Sequence, residues 1–221
     1  MIRRILMLGA ALGAFALACS DISSPSRGDT YEWRLLVPLG AGGLDTLSFH
    51  WPRSSLPVKI WVENAGGLPD DVRHGIDLWK GAFLYGEWDA TVVSDSSTAD
   101  VIVHYTDVPP PGPPAIRLAS RLLPECVGVT EIDTVATRFQ LKLPVEMFVN
   151  PIVPANDPNL PRCLRVTAAH ELGHSLGIFQ HSPTPTDLMY SSPSVDGPSL
   201  PDAHTAEALS HFPPAMTPVR P

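Results

Sequence analysis

Residues 170–181 read H-E-L-G-H-S-L-G-I-F-Q-H, and the reading of the whole chain starts from what this run requires. On a helix, positions four apart are separated by about 400° of rotation, so the imidazoles of His170 and His174 leave the same face about one turn apart. That spacing suits two ligands of one tetrahedral zinc ion. Glu171, next to the first imidazole, points into a neighbouring sector, where its carboxylate can reach a metal-bound water without ligating the metal. Gly177 offers the left-handed conformation that ends helices and turns the chain sharply. His181, four residues beyond that turn, can then swing back as a third ligand. Three neutral imidazoles leave the fourth position to water, the arrangement of a catalytic rather than a closed structural site. Zinc would lower the pKa of that water to about 7, and Glu171 would accept its proton as it attacks a polarised carbonyl. The chemistry described is amide hydrolysis.

A His-Glu-x-x-His match by itself also arises by chance on ordinary solvated helices. Here the surroundings argue for a metal. Val166, Ala168, Ala169, Leu172, Leu176 and Ile178 make an apolar background in which His and Glu are costly without a purpose. Downstream, D-L-M-Y at 187–190 puts Met189 at the distance expected of a tight turn passing beneath the metal.

His170 to His181, the Ser182 that follows and D-L-M-Y together resemble the metzincin metallopeptidases, specifically the matrixin branch and its bacterial matrixin-like members. One departure stands out: the usual third ligand lies three residues after the glycine, which here is Gln180, with His181 one further on. Because the chain has left the helix by then, one extra residue need not misplace the ligand. The resemblance implies a zinc endopeptidase with His170, His174 and His181 as ligands, Glu171 as base and Met189 as the Met-turn residue. It also implies an α+β, metzincin-like zincin fold: a twisted mixed sheet, an active-site helix ending at Gly177, and a small irregular C-terminal subdomain. In that family an edge strand borders the cleft and pairs with extended peptide substrate, a role for which Val127 to Ile132 is the candidate. Pro201 to Phe212 matches the helix that closes the domain. Some matrixins carry calcium or a second zinc, but no clustered His/Asp spacing here assigns either. Two alternatives remain open: a gluzincin-like peptidase with Glu207 as third ligand, and a non-catalytic zinc-binding adhesion or binding module of the cell envelope. The retained Glu171 speaks against the second, since a retired peptidase often loses its base first.

The start of the chain indicates where such an enzyme works. Arg3 and Arg4 precede an apolar run, Ile5 to Ala18, too short for a comfortable membrane span and right for a secretory signal. Cys19 follows directly, as lipoprotein processing requires, although Ala16 stands where leucine is more usual. The expectation is residues 1–18 as signal peptide, 19–30 as a Ser/Pro/Asp/Gly-rich tether lipidated at Cys19, and 31–221 as the peptidase domain. The protein would then be a bacterial cell-envelope lipoprotein, or alternatively secreted, acting as a monomer on protein or peptide substrates. With Cys19 lipidated, Cys126 and Cys163 remain as one disulfide pair, which would anchor the zinc helix to the loop before it. Loss of the two leader arginines shifts the formal charge from −8 to −10. An acidic chain without a Lys/Arg cluster argues against nucleic acid as a partner.

Along the chain, Val58 to Val62 alternates as a first core strand, and Trp33 to Val37 is a possible earlier one. Pro69 to Tyr85 reads as a helix, with Asp70 and Asp71 at its positive end and Val72, Ile76, Trp79 and Phe83 in an apolar stripe. Thr91 to Val93 and Val101 to Tyr105 are short strands, and Phe139 to Val149 contains another. Pro109 to Pro114 is a stiff polyproline-like connection. His50, His74, His104, His204 and His211 are expected on the surface or with a polar partner rather than as ligands.

Overall fold

The structure is a computed structural model and describes residues 28–38, 42–107, 116–134 and 139–220. The leader, Cys19 and the Pro109–Pro114 connection lie outside the described residues. The fold is mixed α+β, a central sheet with helices packed on it. Its strands in chain order are β1 (Leu35–Pro38), β2 (Leu44–Leu47), β3 (Val58–Val62), β4 (Ala90–Val93), β5 (Val101–His104), β6 (Ile116–Leu123), β7 (Cys126–Ile132), β8 (Gln140–Lys142), β9 (Val145–Pro151) and β10 (Thr217–Val219). The helices are α1 (Leu68–Ala82), α2 (Leu160–Leu176) and α3 (Leu200–Ser210).

The main sheet has six strands in the order β4-β3-β5-β9-β7-β6. The first four run parallel, and β7 and β6 close the far side antiparallel. Alternating burial along β3 and β5 marks a sheet with one face packed and one wet. Helix α1 lies over β3 and β4, α2 lies over β9, β7 and β6, and the two helices pack on each other.

Helix α1 forms where the sequence places Pro69 in the first turn, two aspartates at the positive end and Leu68, Val72, Ile76 and Trp79 on one buried face. It stops at Ala82, short of the expected Tyr85, because Phe83 turns extended and buries its ring against Trp88. Helix α2 is different. Fourteen of its 17 residues are buried, and the exposed Pro161, Arg162 and Arg165 all lie in its first two turns, so from Val166 onward it is enclosed on all sides. The ionisable groups of that stretch, His170, Glu171 and His174, are therefore inside the protein.

Two further sequence expectations need correction. Val127 to Ile132 is a strand, but not an edge strand: β6 pairs along its outer side, with Leu118 opposite Thr130 and Ser120 opposite Gly128. The eight residues of β6, I-R-L-A-S-R-L-L, lack the clean alternation that marks a strand in sequence. The disulfide joins Cys126 and Cys163 as expected, yet Cys163 sits inside α2 and Cys126 opens β7. It therefore ties helix to strand, not helix to loop.

Candidate metal centre

Helix α2 carries the first two imidazoles, both fully buried. His170 Nδ1 lies 2.7 Å from the Leu188 carbonyl, and His174 Nδ1 lies 2.6 Å from the Ile178 carbonyl. A carbonyl oxygen only accepts, so Nδ1 carries the proton in each ring and each Nε2 holds a lone pair. Those two Nε2 atoms face each other at 3.1 Å. Opposed lone pairs at that distance repel, whereas two nitrogens bound tetrahedrally to one zinc at 2.0–2.1 Å stand about 3.3 Å apart. The pair is shaped for a cation.

His181 completes the group: ligand atoms of all three histidines lie within 4.8 Å of one another. Its ring stands 5.3 Å from that of His170 and 5.1 Å from that of His174, centroid to centroid. Burial holds His170 well below the ordinary imidazole value and pushes His174 down to about 3, with the neighbouring imidazoles adding to the effect. The partly buried His181 is lowered by desolvation as well. All three are therefore neutral near pH 7, the form that binds metal. Among the described residues no second cluster of His, Cys, Asp or Glu takes this shape. Glu207 lies on α3 outside the cluster.

The two ends of the site are set by the chain around it. At Gly177 (φ 119°) the backbone is left-handed, and its N–H caps the carbonyls of Gly173 and His174. A Cβ there would collide with the Phe49 carbonyl. From this turn the chain brings His181 back, and Ser182 N–H donates to the Met189 carbonyl at 2.8 Å. The fully buried Met189 rests its sulfur where a Cβ on Gly173 would otherwise lie, against the helix between His170 and His174. Asp202 holds this turn from below. It accepts from Leu188 N–H (2.7 Å), from Ser199 N–H (2.9 Å) and from the Tyr31 hydroxyl (2.7 Å). Burial and the Asp202 charge raise the Tyr31 pKa, so the phenol remains a donor. A chain of contacts thus runs from Tyr31 through Asp202 and Leu188 to His170.

Glu171 is fixed from the sheet. Alternate residues Cys126, Gly128 and Thr130 of β7 face α2, where Cys163, Thr167 and Glu171 recur every fourth position. Two strand residues advance about 6.7 Å and four helix residues about 6.0 Å, so the two series stay in step. Cys126 is bonded to Cys163 and sits 3.1 Å from the Thr167 hydroxyl. At Gly128 a Cβ would overlap Thr167 and the Glu171 carboxylate. Thr130 Oγ1 donates to Glu171 Oε2 at 2.6 Å.

No family model matches the chain, and no curated protein matches it. The local geometry therefore carries the argument: a buried three-histidine group able to hold one metal ion, in a disulfide-linked α+β fold suited to an oxidising compartment.

Of the residues singled out by sequence, His170, His174 and His181 come together, with Gly177 and Met189 against them. The other histidines stay apart: His104 pairs with Glu146 at 2.7 Å, His204 bonds the Gly28 carbonyl at 2.8 Å, and His211 stands 3.4 Å from Glu87. Sequence reasoning missed Thr130, Gly128, Tyr31 and Asp202. The S-L-P-D run at 199–202 did carry a signal, since it spells a capping box, and both of its hydrogen bonds form.

Proposed function

We propose that the chain is a zinc-dependent endopeptidase of metzincin, matrixin-like type, with His170, His174 and His181 holding the ion and Glu171 acting as general base. The observation that carries this reading is the pair of lone-pair-bearing Nε2 atoms 3.1 Å apart, with a strand-held carboxylate on the residue next to the first ligand. Bound there, zinc supplies Lewis acidity that polarises a peptide carbonyl and eases ionisation of water. The chain's own part is positional. The Leu188 and Ile178 carbonyls fix the imidazole tautomers, and Thr130 holds one Glu171 oxygen so that the other can take a proton from the attacking water. Glu171 then returns that proton to the leaving amine nitrogen. A gluzincin-like site is disfavoured because Glu207 lies away from the histidines. A purely zinc-binding module would leave the Thr130 hydrogen bond to Glu171 without a use. The disulfide supports an exported protein, and the proposal extends to a lipid anchor at Cys19 in the cell envelope.

Cleavage of a quenched peptide library by the zinc-loaded protein tests this reading. Cleavage abolished by a chelator, restored by zinc and absent from Glu171→Gln is expected; equal cleavage by that variant would exclude the assigned base.

A further inference from the structure

Leu176, in the last turn of α2, forms part of the wall of a cavity of about 310 Å3 that none of the clustered histidines lines. Trp51, Phe83 and Trp88 give it aromatic faces, and Leu209 adds to the apolar lining. This is the size and character of a small-molecule site. Trp51 is fixed in place by its indole N–H, which donates to the Ser175 carbonyl at 2.9 Å.

One group in this lining is costly. Glu87 is only 8% exposed. Its Oε2 accepts from the Tyr85 N–H at 3.0 Å, but its buried Oε1 makes no hydrogen bond; His211 Nε2 stands over it at 3.4 Å, outside hydrogen-bonding geometry. The Trp88 indole N–H beside it is likewise buried without a hydrogen-bond partner. Oε1 therefore keeps a hydrogen-bonding position that an N–H donor could fill. Arg53 and His50 also line the cavity, with Arg53 exposed to water, where its charge is screened. Glu87 is the buried charge of this lining, and its Oε1 is the acceptor that a ligand cation would meet once His211 gives way.

We propose that this cavity binds a small organic amine, its ammonium taking the place of His211 against Glu87 Oε1 and its apolar body lying between the faces of Trp51, Phe83 and Trp88. A carboxylate supplies the charged hydrogen bond and the ring faces supply cation–π attraction, a combination specific to a cation on an apolar frame.

Trp51 and Trp88 are two of the five tryptophans, so occupancy is read as a saturable change in the intrinsic fluorescence of the full chain. Phenethylamine is titrated against 2-phenylethanol, a probe of the same size without the charge. The expected result is saturable binding of the amine about tenfold tighter than the alcohol. Glu87→Gln should erase that preference, whereas His211→Ala, which uncovers Oε1, should bind the amine at least as tightly as the wild type. Far-ultraviolet circular dichroism and thermal unfolding check that each variant is folded. No saturable amine binding up to roughly 10 mM overturns the proposal, as does equal affinity for amine and alcohol or an undiminished amine preference in Glu87→Gln.

Discussion

Replacing both Cys126 and Cys163 by alanine removes the covalent end of the strand–helix register that places Glu171. The two residues are 37 apart in sequence. In the chain-entropy treatment, closing a loop of that length lowers the freedom of the unfolded chain by an amount worth about 4 kcal/mol. Both cysteines are fully buried, so lost sulfur contacts add to the cost. For a domain of this size about 1 kcal/mol corresponds to about 2–4 °C, so the melting temperature should fall by roughly 8–16 °C. Urea titration and calorimetry of wild type and double variant, each free of metal, give the comparison. A second readout concerns function: Thr130 and Glu171 lie at the other end of the same register, so the variant should retain zinc below its new melting temperature yet cleave peptides more slowly. A double variant within about 1 kcal/mol of wild type would refute the idea that this bridge is a main tie between α2 and the sheet.

Three further outcomes follow from the site. Thr130→Val removes a hydrogen bond to a buried carboxylate, worth about 1.5–3 kcal/mol, and should lower the cleavage rate by roughly 10- to 100-fold while zinc stoichiometry stays unchanged. Tyr31→Phe takes one donor from Asp202 and should destabilise the protein by about 1.5–3 kcal/mol in denaturant titration. The buried imidazoles of the metal-free protein should make no pH-dependent contribution between about pH 7 and 9, and stability should fall as pH drops below about 6.5, because the unfolded chain then protonates imidazoles that the fold keeps neutral. The fully buried His170 and His174 each contribute up to about 1.4 kcal/mol per pH unit in that range, and for His174 the loss continues towards its folded value of about 3. Equilibrium unfolding as a function of pH measures this slope, and a flat profile between pH 7 and 5 would contradict it.

Much of the site was legible because it is local. The i, i+4 histidines, the adjacent glutamate and the terminating glycine are properties of one helix and its end, and the structure brings His181 back to them despite the extra residue. What supports the site was not legible, because it comes from distant parts of the chain. Thr130 and Glu171 are 41 residues apart and meet through the matching advance of strand and helix; Tyr31 and Asp202 are 171 apart. The sheet was readable where strands alternate, as in Val58–Val62, and failed at β6, whose pattern carries no period and whose pairing with β7 only the tertiary fold reveals. The paired cysteines were legible by counting, but their role as a helix-to-strand tie needed the helix start at Leu160.

Zinc binding by this chain requires the three imidazoles to act as one ligand set. Zinc content after exhaustive dialysis, measured by mass spectrometry on wild type, His181→Ala and Glu207→Gln, tests it most directly. One zinc per chain is expected in the wild type and in Glu207→Gln, with loss of tight binding in His181→Ala; a wild type that retains no zinc, or a His181→Ala variant that retains it undiminished, would rule out the three-histidine site.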